Sequence, residues 1–487
     1  MPQQKVLRKL WHLTFLINMS YQPAKSKDFG VNLCEGCLQK QLIIDRQKQE
    51  ILALKQKLKL NEKRLKEGFF GSSTPSSQLP VKTNSLSENQ AKRGGAQPGH
   101  PPNKRQAFTL EQADEVHLAP VEEQTCPSCQ SHLVSHTANE RAIYDLQQEQ
   151  LRKLFYQIER KRCPQCQNLL SGKVRNAFPK TQLSNSLLVE VAQQHYVLGR
   201  TLGQISERLS LNYSTLGDSL KRVGKLLEPC LDKLKGLYRK APVRHADETG
   251  WRCDGGNGYS WYFGSKDVSL HLFRQTRSGS VAKEVLGKEK LGGVLVVDRY
   301  GGYNQMPCAL QYCYAHLLRD LKDFESEFES DQEVQSYTRE MKICLTDAMQ
   351  LRNRGLSAPE YAKAGQLIKG RMLELSQSPA RHLGVRTWQD FYVEKAERLY
   401  QWCESAEVPA ENNYAEREIR KVVIARKLSY GSQSEEGAKT REIWTSVLQS
   451  LKKREENPVG KLLEGLIKLV EDKEFNIAEE LFGSPAD

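Results

Sequence analysis

A multidomain α/β architecture is what this sequence predicts, from three observations. Strand-like runs crowd together after Pro242 and end in an unbroken apolar stretch, Val294 to Val297. A Gln-, Lys- and Leu-rich segment free of Gly and Pro lies near the start, and two C-P-x-C pairs stand between. The 487 residues suffice for two to four domains at ~100–200 residues each. Hydrophobic residues make up 38% and charged residues 27%, the balance of a globular chain rather than a disordered or membrane one. No apolar run reaches the ~20 residues of a membrane span, so the chain reads as cytoplasmic, with no membrane partner. The stretch Leu10 to Met19 contains His12 and Asn18 and lacks a small-residue cleavage site, which rejects a signal peptide. Lys plus Arg is 72 against 59 for Asp plus Glu, a net +13. That excess points to a polyanion, of which nucleic acid is the commonest, although a merely basic protein carries the same charge.

Residues 1–37 have little periodicity, and Met19 is an alternative start. Cys34 and Cys37 form a C-x-x-C pair with no partner pair nearby, a poor metal site unless two chains share the ion. In residues 38–70, Ile44, Ile51, Leu58 and Leu65 recur every seven residues, the spacing of one coiled-coil seam. The other seam position holds Gln47, Leu54 and Asn61, so the expectation is a dimeric coiled coil, with a single amphipathic helix as the alternative. A homo-oligomer follows from the first reading. Residues 71–110 are rich in Ser, Pro, Gly and Asn, which bury too little surface to offset ordering entropy. This is a linker, and its basic later half is suited to tracking phosphates.

Residues 111–175 carry Cys126-Pro-Ser-Cys129 and Cys163-Pro-Gln-Cys166 with 33 residues between the pairs. Four thiolates from two tight turns complete a tetrahedral Zn²⁺ shell, which in a reducing compartment outweighs four free thiols. The gap is long for a zinc ribbon and looks like strand around Ala142-Ile143-Tyr144 and Leu154-Phe155-Tyr156. Residues 176–238 read as helices from about Asn185 to Leu198, around Leu202 to Leu209, and from Ser214, as cap, to Val223. Helix, short turn and helix is helix-turn-helix spacing, shared by a generic helical hairpin. Ser214, Thr215, Ser219, Lys221 and Arg222 are the candidates to face a DNA groove or its phosphates.

The catalytic candidates lie in residues 239–450. Val243 to Cys253, Tyr259 to Gly264 and Ser269 to Arg274 read as consecutive strands, with turns at Gly255 to Gly258 and Ser265 to Asp267. A short helix at Ser280 to Leu286 precedes the apolar run, whose character is that of a strand buried on both faces. Asp298 ends that run, where open α/β sheets place their ligands. Three antiparallel strands, a helix and a buried parallel strand ending in Asp is the order of a ribonuclease H-like fold. Asp247 and Glu248 point to opposite faces of the first strand, and Asp247, beside the small Ala246, is chosen to meet Asp298. A third carboxylate is expected from a later helix. In Asn412 to Arg420, Ala415, Ile419, Val422 and Val423 make an apolar stripe, with Glu416 at its margin and Arg420 one turn on. Each acid has a bland reading: Asp298 starting a turn, Asp247 at a strand edge, Asn413 and Glu416 as a capping box. Residues 322–405 read as a charged helical insertion and 451–487 as a helical tail.

HADETGW, VVDRYGGYN, CYAHLLRDL and NNYAEREIRKVVIARKLSYGS, in that order, resemble the transposases of the bacterial insertion sequence 66 family. The cysteine module, the helix-turn-helix, the leucine-rich start and the KRGGAQPGH linker are similar to it too, from about Leu38 to Leu466. Lys421 departs from the pattern, which commonly has Pro there. The resemblance implies an Asp-Asp-Glu enzyme with Asp247, Asp298 and Glu416 as catalytic triad and as ligands of two Mg²⁺ ions. It implies DNA, element ends and target, as substrate, and companion proteins encoded by the same element. Arg299, His316, Arg319 and Arg420 are candidates to contact phosphates or steady the triad; a capped helix start is the other reading of His316. A DNA-binding regulator without catalysis and a ribonuclease H-like nuclease are the competing functions.

Overall fold

The computed structural model describes residues 36, 39–40, 43–54 and 108–483. It separates into two units, Met1–Gly68 and Phe69–Asp487. In the first, residues 43–54 are helical and expose Ile44 and Ile51. Leu58, Leu65, Cys34, Cys37 and the linker up to residue 107 lie outside the described residues.

The second unit opens with six strands: β1 (Glu115–Ala119), β2 (Val134–Ser135), β3 (Asn139–Gln147), β4 (Gln150–Ile158), β5 (Arg160–Arg162) and β6 (Leu169–Ser171). They form two small sheets, ordered β1-β4-β3 and β2-β5-β6. The long gap between the cysteine pairs is the β3–β4 hairpin, turned by Gln148 and Glu149, both at positive φ. It has a small cluster of its own, Ala119, Ile143, Val174 and Ala177 with Tyr156 and Ile158 against them, while Tyr144, Leu146 and Leu151 pack on the main core.

Four helices follow: α1 (Asn185–Ala192), drawn out by a π turn over Gln193–Val197, then α2 (Leu202–Leu209), α3 (Tyr213–Leu226) and α4 (Pro229–Lys240). Thr201 and Gln204 close a capping box on α2, and Ser210 ends that helix in the left-handed region. The cap of α3 is Asn212, not Ser214. The Asn212 side chain accepts from the Ser214 N–H at 2.9 Å, and the Ser214 hydroxyl itself donates to Asn212 at 2.7 Å.

The main sheet is built from β7 (Val243–Cys253), β8 (Gly256–Gly264), β9 (Ser269–Arg274), β10 (Val294–Val297) and β11 (Ala309–Tyr312), in the order β11-β10-β7-β8-β9. The first three are antiparallel neighbours, while β10 runs parallel to both β7 and β11. The β7–β8 turn is the pair Asp254-Gly255, both at positive φ, tighter than the Gly255–Gly258 turn expected. Strand β11 was not foreseen: it is four residues long, interrupted by Gln311, and runs straight into a helix.

The helices are α5 (Ser280–Leu286), between β9 and β10, then α6 (Tyr314–Glu327), α7 (Gln332–Leu351), α8 (Ala358–Gln377), α9 (Leu383–Glu394) and α10 (Ala396–Leu399). After this helical block come α11 (Asn413–Ser429), α12 (Glu435–Arg454), α13 (Pro458–Glu471) and α14 (Ile477–Phe482). The tail is thus two helices, and its Leu462, Leu466, Ile477, Leu481 and Phe482 are buried in the main core. No helix among the described residues is long and apolar enough to cross a membrane.

Both edges of the sheet are occupied. Along β9, the outward N–H groups of Phe273, His271 and Ser269 donate to Glu442, Ser446 and Ser450 of α12, at 3.1, 2.9 and 2.9 Å. The Ser446 and Ser450 hydroxyls donate back to the carbonyls of His271 and Ser269. Four helical residues rise ~6 Å and two strand residues ~6.8 Å, so side chains four apart on a helix match every second residue of a strand. At the other edge, the fully buried Gln311 of β11 donates to the Leu399 carbonyl at 3.1 Å and accepts from the Trp402 N–H at 3.3 Å.

Candidate active site

Strand register brings the two aspartates together. Val296 of β10 pairs with His245 of β7 in parallel. Two residues further along each strand stand Asp298 and Asp247, on neighbouring strands ~4.8 Å apart. Asp247 shares a face of β7 with His245, whose ring lies 4.8 Å from that of Tyr414 on α11. Glu248 points the other way, where it accepts from Tyr303 at 2.5 Å and from Arg277 at 2.8 Å.

Glu416 arrives in the first turn of α11. That helix lies on the sheet by its buried stripe: Ala415 and Ile419 pack on Tyr262, and Val422 on Trp251 and Phe273. The Asn413–Glu416 capping box, the bland reading of that pair, is absent. Asn412 stands at the cap position instead, and its buried side chain bonds away from the helix. Its Nδ2 donates to the Ala246 carbonyl at 2.8 Å, and its Oδ1 accepts from His245 Nδ1 at 2.9 Å. Its backbone N–H donates to the Cys313 sulfur at 3.1 Å, and its carbonyl accepts from the Glu416 N–H at 3.2 Å. Asn412 therefore joins the strand of Asp247, the cap of α6 and the helix of Glu416. Sequence reasoning missed it, although the Asn412-Asn413 doublet before Glu416 was its only available signal.

The three acids share one field. Burial first, then Glu248 and Asp298, and also Glu416, push the Asp247 carboxyl well above the usual carboxylate range. Asp247 Oδ1 accepts from the Glu248 N–H and Asp298 Oδ1 from the Tyr300 N–H, at 2.9 and 2.8 Å, which orients both. Glu416 is met by Arg319 at 3.2 Å and by His316 Nδ1 at 3.6 Å. Burial and then Arg319 hold the His316 imidazole below its ordinary value, hence neutral at pH 7. Arg299 pairs with Asp320 and lies 5.4 Å over the Phe391 ring, so it is engaged within the protein. Arg420 is exposed one turn beyond Glu416. Three carboxylates without full neutralisation suit a hard divalent cation with oxygen ligands.

The four cysteines also converge. Their sulfurs lie within 4.8 Å of one another, with Cys126 3.4 Å from Cys166 and Cys129 3.4 Å from Cys163. Tetrahedral Zn–S bonds of ~2.3 Å need sulfurs ~3.8 Å apart, so the donor set fits zinc. The two pairs sit in like turns, each followed by a Gln at positive φ, Gln130 and Gln167. Cys163-Pro-Gln-Cys166 closes the β5–β6 hairpin, and the other pair is bracketed by a Thr125–His132 bridge.

The groove candidates on α3 divide. Ser214 and Arg222 are exposed, and Lys221 pairs with Glu436 of α12 at 3.2 Å. Thr215 and Ser219 are buried with Leu216, Leu220 and Val223. They face the core at i, i+4 spacing, which removes both as DNA contacts in this conformation.

A family model described as "Transposase IS66 family" matches residues 180–440, just over half of the chain. An uncharacterized protein, y4jD, of Sinorhizobium fredii (strain NBRC 101917 / NGR234) is 24% identical over 297 residues. The alignment covers 54% of this chain and 57% of that protein, so the chain spans little more than half the length of the relative it matches.

Proposed function

Since the chain belongs to the transposase IS66 family, an Asp-Asp-Glu family of polynucleotidyl transferases, we propose that it cuts DNA at the ends of its insertion sequence and joins the freed 3′-hydroxyl to target DNA. The observation that supports this reading is that Asp247 on β7, Asp298 after β10 and Glu416 on α11, all inside the matched region, lie near enough for the charges of Asp298 and Glu416 to raise the Asp247 carboxyl. The β11-β10-β7-β8-β9 order agrees with the ribonuclease H-like core that the family implies.

The three carboxylates would hold the Mg²⁺ ions. When bound, such ions supply Lewis-acid stabilisation of the oxygens entering and leaving phosphorus. The chain's own residues do the positioning. The Glu248 and Tyr300 amides orient Asp247 and Asp298, and Asn412 sets the helix of Glu416 against β7. Arg319 and Arg420 contact the phosphates flanking the scissile bond, and neutral His316 steadies Glu416. In cleavage, water oxygen bonds to phosphorus and the bond to the 3′-oxygen breaks. In joining, that 3′-oxygen bonds to a target phosphorus and displaces the target's own 3′-oxygen. The cysteine module holds a structural Zn²⁺ on Cys126, Cys129, Cys163 and Cys166. Helices α2 and α3 form a helix-turn-helix that reaches DNA through Ser214, Lys221 and Arg222. The helix of residues 43–54 serves to pair two copies, and companion proteins of the element complete the assembly.

The test incubates purified protein and Mg²⁺ with labelled element-end DNA and a target plasmid, beside Asp298→Ala. End cleavage and joined product, both absent in the variant, are the expected result. Nicking without joining would replace the proposal with a nuclease. Binding with neither, even after the companion proteins are added, would favour a regulator.

A further inference from the structure

A second group of metal-ligating atoms adjoins the carboxylates. The Cys313 sulfur, a His316 ring nitrogen and a Glu416 oxygen all lie within 4.8 Å of one another. Cys313 caps α6 and His316 is its third residue, so the C-x-x-H spacing brings sulfur and imidazole to one side of the first turn. Glu416 enters from the start of α11. His316 Nδ1 is buried and has no hydrogen-bond partner, although Glu416 Oε1 is only 3.6 Å away. A buried ring nitrogen without a hydrogen-bond partner, beside a thiol and a carboxylate, is an unfilled ligand position. The set is wrong for Mg²⁺, which takes oxygen and keeps its waters. It is right for a borderline-soft ion, for which thiolate, imidazole and carboxylate with an open fourth position is a known kind of shell. Two cations among the described residues compete with an ion here: Arg319, whose side chain is 59% exposed, and Arg299, which is paired with Asp320.

We propose that Cys313, His316 and Glu416 form a second zinc site, and that Zn²⁺ there switches the active site off by withdrawing Glu416 from the two aspartates. The binding half stands on these three residues alone. The switching half rests on the function proposed above.

The test uses the full chain with the four-cysteine site already loaded with zinc. Co²⁺ is then added and thiolate-to-cobalt charge transfer is followed in the near ultraviolet. One further sulfur-ligated cobalt per chain is expected in the wild type. Cys313→Ser keeps an acceptor for the Asn412 N–H and should abolish that band. His316→Gln should keep the band but weaken binding by more than roughly 100-fold, beyond what loss of an outer-shell partner costs. No new band in the wild type, or the same band in Cys313→Ser, overturns the site. If Cys313→Ser does not fold, an unchanged affinity in His316→Gln overturns it instead. In the DNA assay, zinc that fills this site should block Mg²⁺-dependent joining in the wild type and spare it in Cys313→Ser. Equal joining with the site filled overturns the switch. Cobalt binding in a protein that never cleaves DNA leaves the site standing and sinks the functional reading instead.

Discussion

Replacing Asn412 by Ala tests the joint on which the candidate site hangs. The side chain is 1% exposed and makes two buried hydrogen bonds, to the Ala246 carbonyl and from His245 Nδ1. Truncation leaves both partners unsatisfied in a place water does not reach. Each such group costs about 1–3 kcal/mol, so the expected loss is about 2–6 kcal/mol. For a domain of this size 1 kcal/mol moves the melting temperature by ~2–4 °C, so calorimetry should record a fall on the order of 10 °C. Asn412→Asp keeps the shape and the acceptor for His245 but loses the donor to Ala246 and adds a buried charge. It should melt low as well, and lower at pH 8 than at pH 5, where protonation restores a donor. In the DNA assay Asn412→Ala should lose joining in proportion to product formed rather than to DNA bound, because Glu416 is displaced while the basic surface is intact. A melting shift under 2 °C with unimpaired joining would refute the argument that this side chain holds the three elements in place.

Three other outcomes follow from the structure. Asp247 has a carboxyl raised by burial and by like charges, so its contribution to stability is present at low pH and lost as pH rises through that raised value. Asp247→Asn should therefore melt a few degrees higher than the wild type at pH 7.5 without metal, with no gain at pH 4, and Mg²⁺ should stabilise only the wild type. Stripping zinc with a strong chelator should loosen the module of β1–β6, whose own apolar cluster is small, and leave the sheet of β7–β11 protected in limited proteolysis. Arg244 is fully buried and donates to the carbonyls of Arg239, Ala241 and Gly292, so Arg244→Met should cost about 3 kcal/mol or more in denaturant unfolding.

Much of the scaffold was readable because its signals are local. Alternation marks β7 to β9, the unbroken apolar run marks β10, and the stripe of Ala415, Ile419 and Val422 sets the buried face of α11 and so the side on which Glu416 lies. What could not be read depends on partners distant in sequence. Strand β11 exists because β10 supplies its ladder and α10 covers its edge, and neither leaves a trace in Ala309 to Tyr312. Thr215 looks like a surface residue by type, but its position one turn before Ser219 on the inner face of α3 buries it. The sequence offers Asn413 as the cap, whereas Asn412 stands there with its side chain drawn to His245 and Ala246, over 160 residues away.

The α12 side chains along β9 bear on how copies of this protein can meet. A strand with its outward N–H and C=O groups free is a template on which another strand will grow, in a specific dimer or in an aggregate. Here a helix imitates the missing strand, hydroxyl by hydroxyl, and Gln311 closes the opposite end. The sheet is finite by construction. A second copy finds no free strand edge along β9 to extend, so a contact between copies through this sheet would have to be made by helices or loops instead.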